Sequence, residues 1–500
     1  MSRVTNNTEN RIDLEDVLDK FSVYSYYFMK ISFLMCLIFL SNSVYSCNYI
    51  FATEKTSYRC KDQSINNSDH IQDDCMEWEY DNPNTFMAEF QLANQEWKRT
   101  LVGTTHCFGY MVGLLIVGPL SDRLGRKNAI VVTAVLGGVF GVAKSFSPLY
   151  WLYIALEFLE AAIGDPGSPA YILITELVSK KYRIIFIMIS SFGCVLGGFV
   201  TALVAWLVPY WRYFLRVVYT PALLFVFYKY MLCESPRWLL IKGKKEEAIT
   251  ILKKIAKNNN TKLDNIEKLS CEECKEEKFQ NILKDTLQSK LLRRRFFVCV
   301  IWWITSTFVN YGLSINSVLL QGNKYLNYAF ISLLEVPGIF ILTYILTHCN
   351  RKLPLMCCFT VSAILCISQP FIPSNLIWLS VIVYVSGKLF SWFFFEITYL
   401  YTSELFPTHT RNSMHALCSS IGRIGSMTAP QTQLLMAYWS GLPQMLFGMT
   451  SLLAAGVTLL VPDVSNEALP DTVKQAETMG KTDYKKSEIE KNTMTDVTRL

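Results

Sequence analysis

The sequence predicts an all-α membrane protein with twelve transmembrane helices arranged as two six-helix bundles. Three observations carry that prediction: an apolar composition, runs long enough to cross a bilayer, and an internal repeat marked by charged residues. Of 500 residues, 51% are hydrophobic and 14% aromatic, with a net charge of +6, which is more apolar material than a soluble chain of this length carries. About 20 apolar residues cross roughly 30 Å of hydrocarbon. Such runs lie at 26–51, 101–120, 129–146, 149–173, 184–208 and 214–232, and again at 296–320, 326–346, 355–371, 377–401, 414–438 and 445–461.

Lys and Arg collect in cytoplasmic loops. Here they fall in alternate loops: Arg123, Arg126 and Lys127; Lys180, Lys181 and Arg183; the stretch 237–295; Arg351 and Lys352; and Arg411. Both termini are therefore expected in the cytoplasm. The opening R-I-D-L-E-D-V-L-D-K lacks the basic start and cleavage site of a signal peptide, so the first span is expected to stay in the mature chain. The resulting order is a cytoplasmic N-terminus (1–25), a first bundle (26–232) with an outside loop (52–95), a cytoplasmic linker with amphipathic helices (233–295), a second bundle (296–461) and a cytoplasmic tail (462–500).

The repeat joins Y-I-L-I-T-E-L-V-S-K-K-Y-R at 171–183 to Y-L-Y-T-S-E-L-F-P-T-H-T-R at 399–411, matching at Tyr, Glu, Leu and Arg with one offset of 228 residues. That offset also carries Arg123 onto Arg351. Two bundles related by a parallel repeat, with a binding site between them near the membrane midplane, suit alternating access. In G-P-L-S-D-R-L-G-R-K at 118–127, Gly118 and Gly125 permit a tight reversal between spans. Asp122 at the helix end can accept from neighbouring backbone and basic groups, a charge latch that must open as the bundles move and to which Arg123 and Arg126 are assigned; the plainer reading of the stretch is a positive-inside loop. Glu176, Arg183, Glu404 and Arg411 complete the expected conformational gate.

Charges inside the spans mark the candidate site. Arg423 lies in S-S-I-G-R-I-G-S, with Ser419 and Ser426 on its helical face and Leu417, Ile421 and Ile424 elsewhere. Facing lipid would cost it roughly 3 kcal/mol, so it is expected to face a cavity. Lys388 has Tyr384, Ser391, Trp392, Phe395 and Tyr399 on or near its face, a cation beside aromatic walls that suits an aromatic or amphipathic anion. The competing reading neutralises one or both cations with Glu396, Glu335, or the i, i+3 pair Glu157 and Glu160. His106 in the second span reads either as a proton relay or as a hydrogen-bonded structural residue.

Most of the 15 cysteines lie in predicted spans and read as small apolar residues. In the outside loop Cys60 and Cys75 are expected to form a disulfide, with Cys47 as rival partner, and Asn66 to carry a glycan. C-E-E-C at 271–274 has no second ligand pair nearby, so no metal site is expected. G-V-F-G-V-A-K-S at 138–145 has Ala143 where a phosphate loop needs glycine. No cofactor, enzymatic activity or nucleic-acid partner is expected. The segment 246–256 reads as an amphipathic helix with acids early and lysines late. The final T-R-L fits a C-terminal ligand for a PDZ-domain protein, set against an unstructured tail.

The stretch at 118–127 resembles the signature of the major facilitator superfamily. E-S-P-R-W-L-L at 234–240, Y-I-L-I-T-E at 171–176, S-E-L-F-P-T-H-T-R-N at 403–412 and A-L-P-D-T at 468–472 resemble the organic cation and organic anion transporter family, solute carrier family 22, over about 14–477. The resemblance implies the major facilitator fold, a plasma-membrane location and movement of small organic ions or zwitterions through the lipid bilayer. It implies that Arg423 stands where anion-transporting members have arginine and cation-transporting members aspartate, that Lys388 is similar to a tenth-span lysine of anion transporters, and that Glu396 matches a glutamate of cation transporters. The fourth span, L-E-F-L-E at 156–160, departs from the family, which has an arginine there. The expected function is secondary-active or facilitative transport of organic anions. A second reading is an organic cation or carnitine-like transporter. A third is a non-transporting sensor or scaffold, raised by the second-half loop C-N-R-K at 349–352, which lacks the acid and glycine of the first.

Overall fold

Backbone polar groups in hydrocarbon must be satisfied within the segment, which leaves helices as the solution for this sequence. The structure is a computed structural model that describes residues 12–22, 24–61, 77–179, 182–259, 261, 266, 269–270, 288–320, 322–373, 375–406 and 408–463. At 12–13, 183, 184, 187, 269–270 and 408–413 the backbone alone is described. In chain order the helices are α1 (Leu14–Asp19), α2 (Tyr26–Ala52), α3 (Phe86–Glu89), α4 (Glu96–Leu124), α5 (Arg126–Lys144), α6 (Tyr150–Ile163), α7 (Gly167–Leu177), α8 (Arg183–Leu207), α9 (Trp211–Tyr219), α10 (Tyr228–Met231), α11 (Pro236–Ile241), α12 (Lys245–Asn258), α13 (Lys290–Asn316), α14 (Lys324–His348), α15 (Lys352–Ser368), α16 (Ile377–Glu404), α17 (Thr408–Thr428) and α18 (Leu442–Thr458).

Eight of these, α2, α4, α5, α8, α13, α14, α15 and α16, are long and apolar enough to cross a membrane. They coincide with the expected first, second, third, fifth and seventh to tenth spans. The other four expected spans are divided or short, and three of them for the same reason: proline removes a donor and breaks the helical ladder. The fourth is split into α6 and α7 at Gly164-Asp165-Pro166, where Asp165 Oδ1 accepts from the N–H groups of Gly167 and Ser168 at 3.1 and 3.3 Å. The sixth runs α9, a 3₁₀ segment Thr220–Phe227 containing Pro221, then α10. The eleventh runs α17 into a 3₁₀ segment Ala429–Ala437 containing Pro430. The twelfth, α18, has 17 residues, about 26 Å of helix.

The chain divides into two units, Met1–Lys275 and Glu276–Leu500. In the first, α2 packs on α8, α4 on α6, and α5 on Thr220–Phe227. In the second, α13 packs on α17, α14 on α16, and α15 on α18. Each unit therefore pairs its first span with its fifth, its second with its fourth and its third with its sixth, so the 228-residue repeat is a repeat of structure. One contact depends on a missing side chain: a Cβ on Gly425 of α17 would lie 2.2 Å from the Ile304 carbonyl of α13, so glycine sets that interhelical distance.

Outside the membrane segments, β2 (Tyr58–Cys60) and β3 (Trp78–Tyr80) form an antiparallel ribbon, and β1 (Ile12–Asp13) pairs in parallel with β4 (Leu269–Ser270). Arg59–Glu79 and Lys61–Glu77 pairs at 2.8 Å cross the ribbon, and the hydrogen bond from Lys61 holds the Glu77 carboxyl below its ordinary range. Cys60 is disulfide-bonded, while Cys75 and Asn66 lie outside the described residues, as do C-E-E-C and T-R-L. Helix α12 covers the expected amphipathic segment and buries Ala248, Leu252, Ile255 and Ala256, one stripe at helical spacing.

Candidate functional site

In the second unit two intramembrane cations are met by consecutive residues of α13. Asn310 Oδ1 accepts a hydrogen bond from Lys388 of α16, and the hydroxyl of Tyr311 accepts one from Arg423 Nη1 of α17 at 3.4 Å. Helix α17 is pinned at this level, because Thr307 Oγ1 donates to the Gly422 carbonyl at 2.5 Å. Lys388 is 4% exposed and its Nζ lies 3.6 Å from Glu335 Oε1 of α14. The structure thus brings Glu335 to Lys388, whereas Glu396 makes no ion pair among the described residues and lies within the electrostatic field of Glu335.

The aromatic residues expected around Lys388 serve several partners. Tyr384 is buried and donates its hydroxyl proton to the Leu313 carbonyl at 2.5 Å. Trp392 packs on Phe393, with ring centroids 5.6 Å apart. Phe395 meets Trp303 of α13 edge-on at 6.0 Å. Tyr399 is exposed and packs on His415, whose other ring neighbour is Trp303. Ser391 is the residue that joins Lys388 most directly, donating to the Lys388 carbonyl at 2.7 Å and lying 3.3 Å from Asn310 Oδ1. On α17, Ser426 donates to the Arg423 carbonyl and Ile424 is exposed, in keeping with a polar and an apolar face.

The first unit encloses a second group of charges. Lys144, the last residue of α5, is fully buried with its Nζ 2.7 Å from Glu157 Oε2 and 3.5 Å from Glu160 Oε2. The same ammonium donates to Asn48 Oδ1 and Tyr219 Oη at 3.2 Å each. His106 Nδ1 lies 2.8 Å from Glu157 Oε1 and 3.7 Å from Glu160 Oε2, and Tyr49 packs against its ring. The i, i+3 acids of α6 therefore face their own bundle. The ammonium bridges both carboxylates, the part a bound cation would otherwise play.

At the helix ends, several of the residues expected to gate meet in side-chain contacts within each unit. Arg126 Nη1 reaches Asp122 Oδ1 at 2.7 Å, and its Nη2 and Nε reach Glu176 at 3.1 and 3.2 Å. Glu234 Oε1 accepts from the N–H groups of Arg126, Lys127 and Ser235 at 2.8, 3.2 and 3.0 Å, a carboxylate on a helix N-terminus. Trp238 Nε1 donates to the Asp122 carbonyl at 3.0 Å. Gly125 has φ of +89°, and a Cβ there would lie 2.4 Å from Glu234 Oε2, so both conformation and space require glycine. A Cβ on Gly118 would meet nothing within 4 Å, and Arg123 is exposed. In the second unit Arg351 Nε lies 3.4 Å from Glu404 Oε1. The partner of Glu176 is thus Arg126, although the constant offset matches Arg351 to Arg123. The side chains of Arg183 and Arg411 are outside the described residues.

Sequence reasoning missed Asn310, Tyr311, Asn48, Tyr219 and Lys144. Only Lys144 left a signal: two acids in one span require cations in the same bundle, and this lysine ends the preceding span.

A family model described as sugar (and other) transporter matches residues 31–468. Solute carrier family 22 member 2 of Homo sapiens is 31% identical over 407 residues, which is 80% of this chain and 73% of that protein. Solute carrier family 22 member 1 of Bos taurus is 32% identical over 407 residues, 80% of this chain and 72% of its own. The organic cation transporter protein of Drosophila melanogaster is 31% identical over 433 residues, 84% and 79% of the two chains. Among solved structures, the partially occluded inward-open xylose transporter XylE of E. coli superimposes with a TM-score of 0.66 at 18% identity, covering 89% of this chain and 100% of that one.

Proposed function

Because this chain belongs to solute carrier family 22 of the major facilitator superfamily and is a multi-pass transmembrane transporter, we propose that its substrates are small organic anions, carried by alternating access. The observation that carries this reading is the pair Asn310 and Tyr311, which orient two cations from two other helices in one region of the second unit. Lys388 shares its charge with Glu335 at 3.6 Å and is assigned the supporting charge; Arg423, on the polar face of α17 with Ser426, is assigned the direct contact with the substrate anion. Tyr384, Trp392 and Phe395 supply the neighbouring aromatic surface. The networks centred on Arg126 and on Arg351 are assigned the opening and closing of each unit's helix ends, with Gly118, Arg123, Arg183 and Arg411 flanking them. The driving force is a substrate gradient, exchange, a coupled ion or the membrane potential, which is worth about 2.3 kcal/mol per charge per 100 mV.

A second reading, transport of cations or carnitine-like zwitterions, has one observation in its favour. Glu396 lacks an ion pair among the described residues and stands near a second acid, Glu335, so a substrate cation would relieve their repulsion. The name of the fruit-fly relative points the same way. Glu157 and Glu160 no longer support it, since Lys144 and His106 hold them. The sensor reading loses its motive, because the second-half loop keeps an arginine–glutamate contact without the acid and glycine.

The same reading places the protein in the plasma membrane with both termini cytoplasmic, a glycan on Asn66, no enzymatic activity, and T-R-L available to a PDZ-domain protein. Uptake of labelled benzoate, benzyltrimethylammonium and a zwitterion of matched size, in cells expressing the full chain, tests the substrate class. Saturable uptake of benzoate supports it. Uptake of benzyltrimethylammonium or the zwitterion alone replaces it with the second reading.

A further inference from the structure

Lys144, Glu157 and Glu160 bring one positive and two negative charges into the closed interior of the first unit, so one negative charge is left over while His106 is neutral. A single added proton balances the group. We propose that His106, Glu157, Glu160 and Lys144 form a one-proton coupling site, whose loading and unloading accompany substrate movement; the coupling rests on the transporter reading above.

The two acids are not equivalent. Glu157 is saturated, with Lys144 at 2.7 Å on one oxygen and His106 at 2.8 Å on the other. Both oxygens of Glu160 are buried without a close hydrogen bond; Lys144 and His106 stand at 3.5 and 3.7 Å, and the Tyr219 hydroxyl is the neighbouring donor. An ionised carboxylate left in that condition is costly. Glu157 is therefore the fixed anion and Glu160 the proton acceptor, with His106, whose ring lies against both carboxylates, as the adjacent alternative.

Every packed element contributes to the surroundings. From α2 come Tyr45, which stacks on Tyr219, and Tyr49, which covers the His106 ring. Tyr153 of α6 faces Glu157 and Glu160, and Tyr219 of α9 faces Lys144 and both acids. These are phenols, neutral across the physiological range. Arg212 of α9 pairs with Glu89 at 2.7 Å, and Arg212 and Arg216 both bind Ser145, just beyond the end of α5. A proton from water adds to Glu160 Oε2, or to Nε2 of His106, and leaves from the same atom when the unit opens to the other side. No other atom is exchanged.

Purified full-length protein in vesicles, loaded with a pH indicator and given labelled benzoate or benzyltrimethylammonium, tests the coupling. Expected is faster uptake under an inward proton gradient, acidification of the vesicle interior during uptake, and loss of both responses in Glu160→Gln. Uptake in the wild type that ignores the gradient, or a response that survives in a folded Glu160→Gln, overturns the proposal. The exposed His348→Asn variant serves as control. Infrared titration of the same preparations without any probe separates this proposal from the substrate reading. A carboxyl or imidazolium band that changes over about pH 5 to 8 and is altered by Glu160→Gln and by His106→Asn supports the proton site even if neither probe is carried; absence of such a band overturns it.

Discussion

Lys388 on α16 and Glu335 on α14 form an ion pair at 3.6 Å inside the second unit, with Asn310 of α13 bound to the same ammonium. The lysine most easily read as a substrate charge is thus also a helix-pairing charge. Removing one member leaves the other without its counter-charge. Lys388→Met and Glu335→Gln are each expected to lower thermal stability in detergent, and the double variant to lose less than the two single losses together. Additive losses in a double-mutant cycle would show that the pair does not couple.

Lys144 and Glu157 are fully buried at 2.7 Å. Breaking a buried pair from one side costs about 3–5 kcal/mol. Lys144→Met is expected to lower surface expression and melting temperature sharply, more than Lys388→Met does, because the Glu335 side chain retains 21% exposure and the Glu157 side chain none. Equal losses would contradict this ranking.

The two glycines of the 118–127 stretch are expected to behave oppositely. Gly118→Ala meets open space in a helix and should be neutral or gain about 0.5–1 kcal/mol. Gly125→Ala must hold φ near +89° and displace Glu234, a loss of at least about 1–2 kcal/mol. Melting temperatures of the two variants decide it, and a tolerated Gly125→Ala would remove the Glu234 cap from the account.

Cys60 is disulfide-bonded, and Cys75 is the proposed partner. Closing a loop of about 15 residues stabilises by about 3 kcal/mol. Peptide mapping without reductant is expected to recover Cys60 with Cys75; recovery with Cys47 would reassign the pair.

Much of this architecture was legible because apolar run length and alternating loop charge act locally. The three expected spans divided at Pro166, Pro221 and Pro430 read as continuous, since a hydropathy run does not register a missing backbone donor. Positions of the intramembrane charges were legible, and their partners were less so. Periodicity places Arg423 and Lys388 on helix faces, but which residue waits opposite depends on helix rotation, as Asn310, Tyr311 and Lys144 show. Pairing of Glu335 with Lys388 was one alternative among several. The 228-residue offset aligned Arg123 with Arg351, yet Arg126 reaches Glu176, because α5 opens at Arg126 while Arg351 precedes α15.

Arg423 is the residue on which the anion reading turns, and its hydroxyl partner Tyr311 lies at 3.4 Å. Initial rates of benzoate uptake in cells expressing wild type, Arg423→Ala and Arg423→Lys at equal surface level test it most directly. The account predicts loss of at least about tenfold in Arg423→Ala, the scale of a charged hydrogen bond worth about 1.5–3 kcal/mol, with partial recovery in Arg423→Lys. Benzoate uptake undiminished in Arg423→Ala would contradict it and leave Arg423 as a group that only joins α17 to α13.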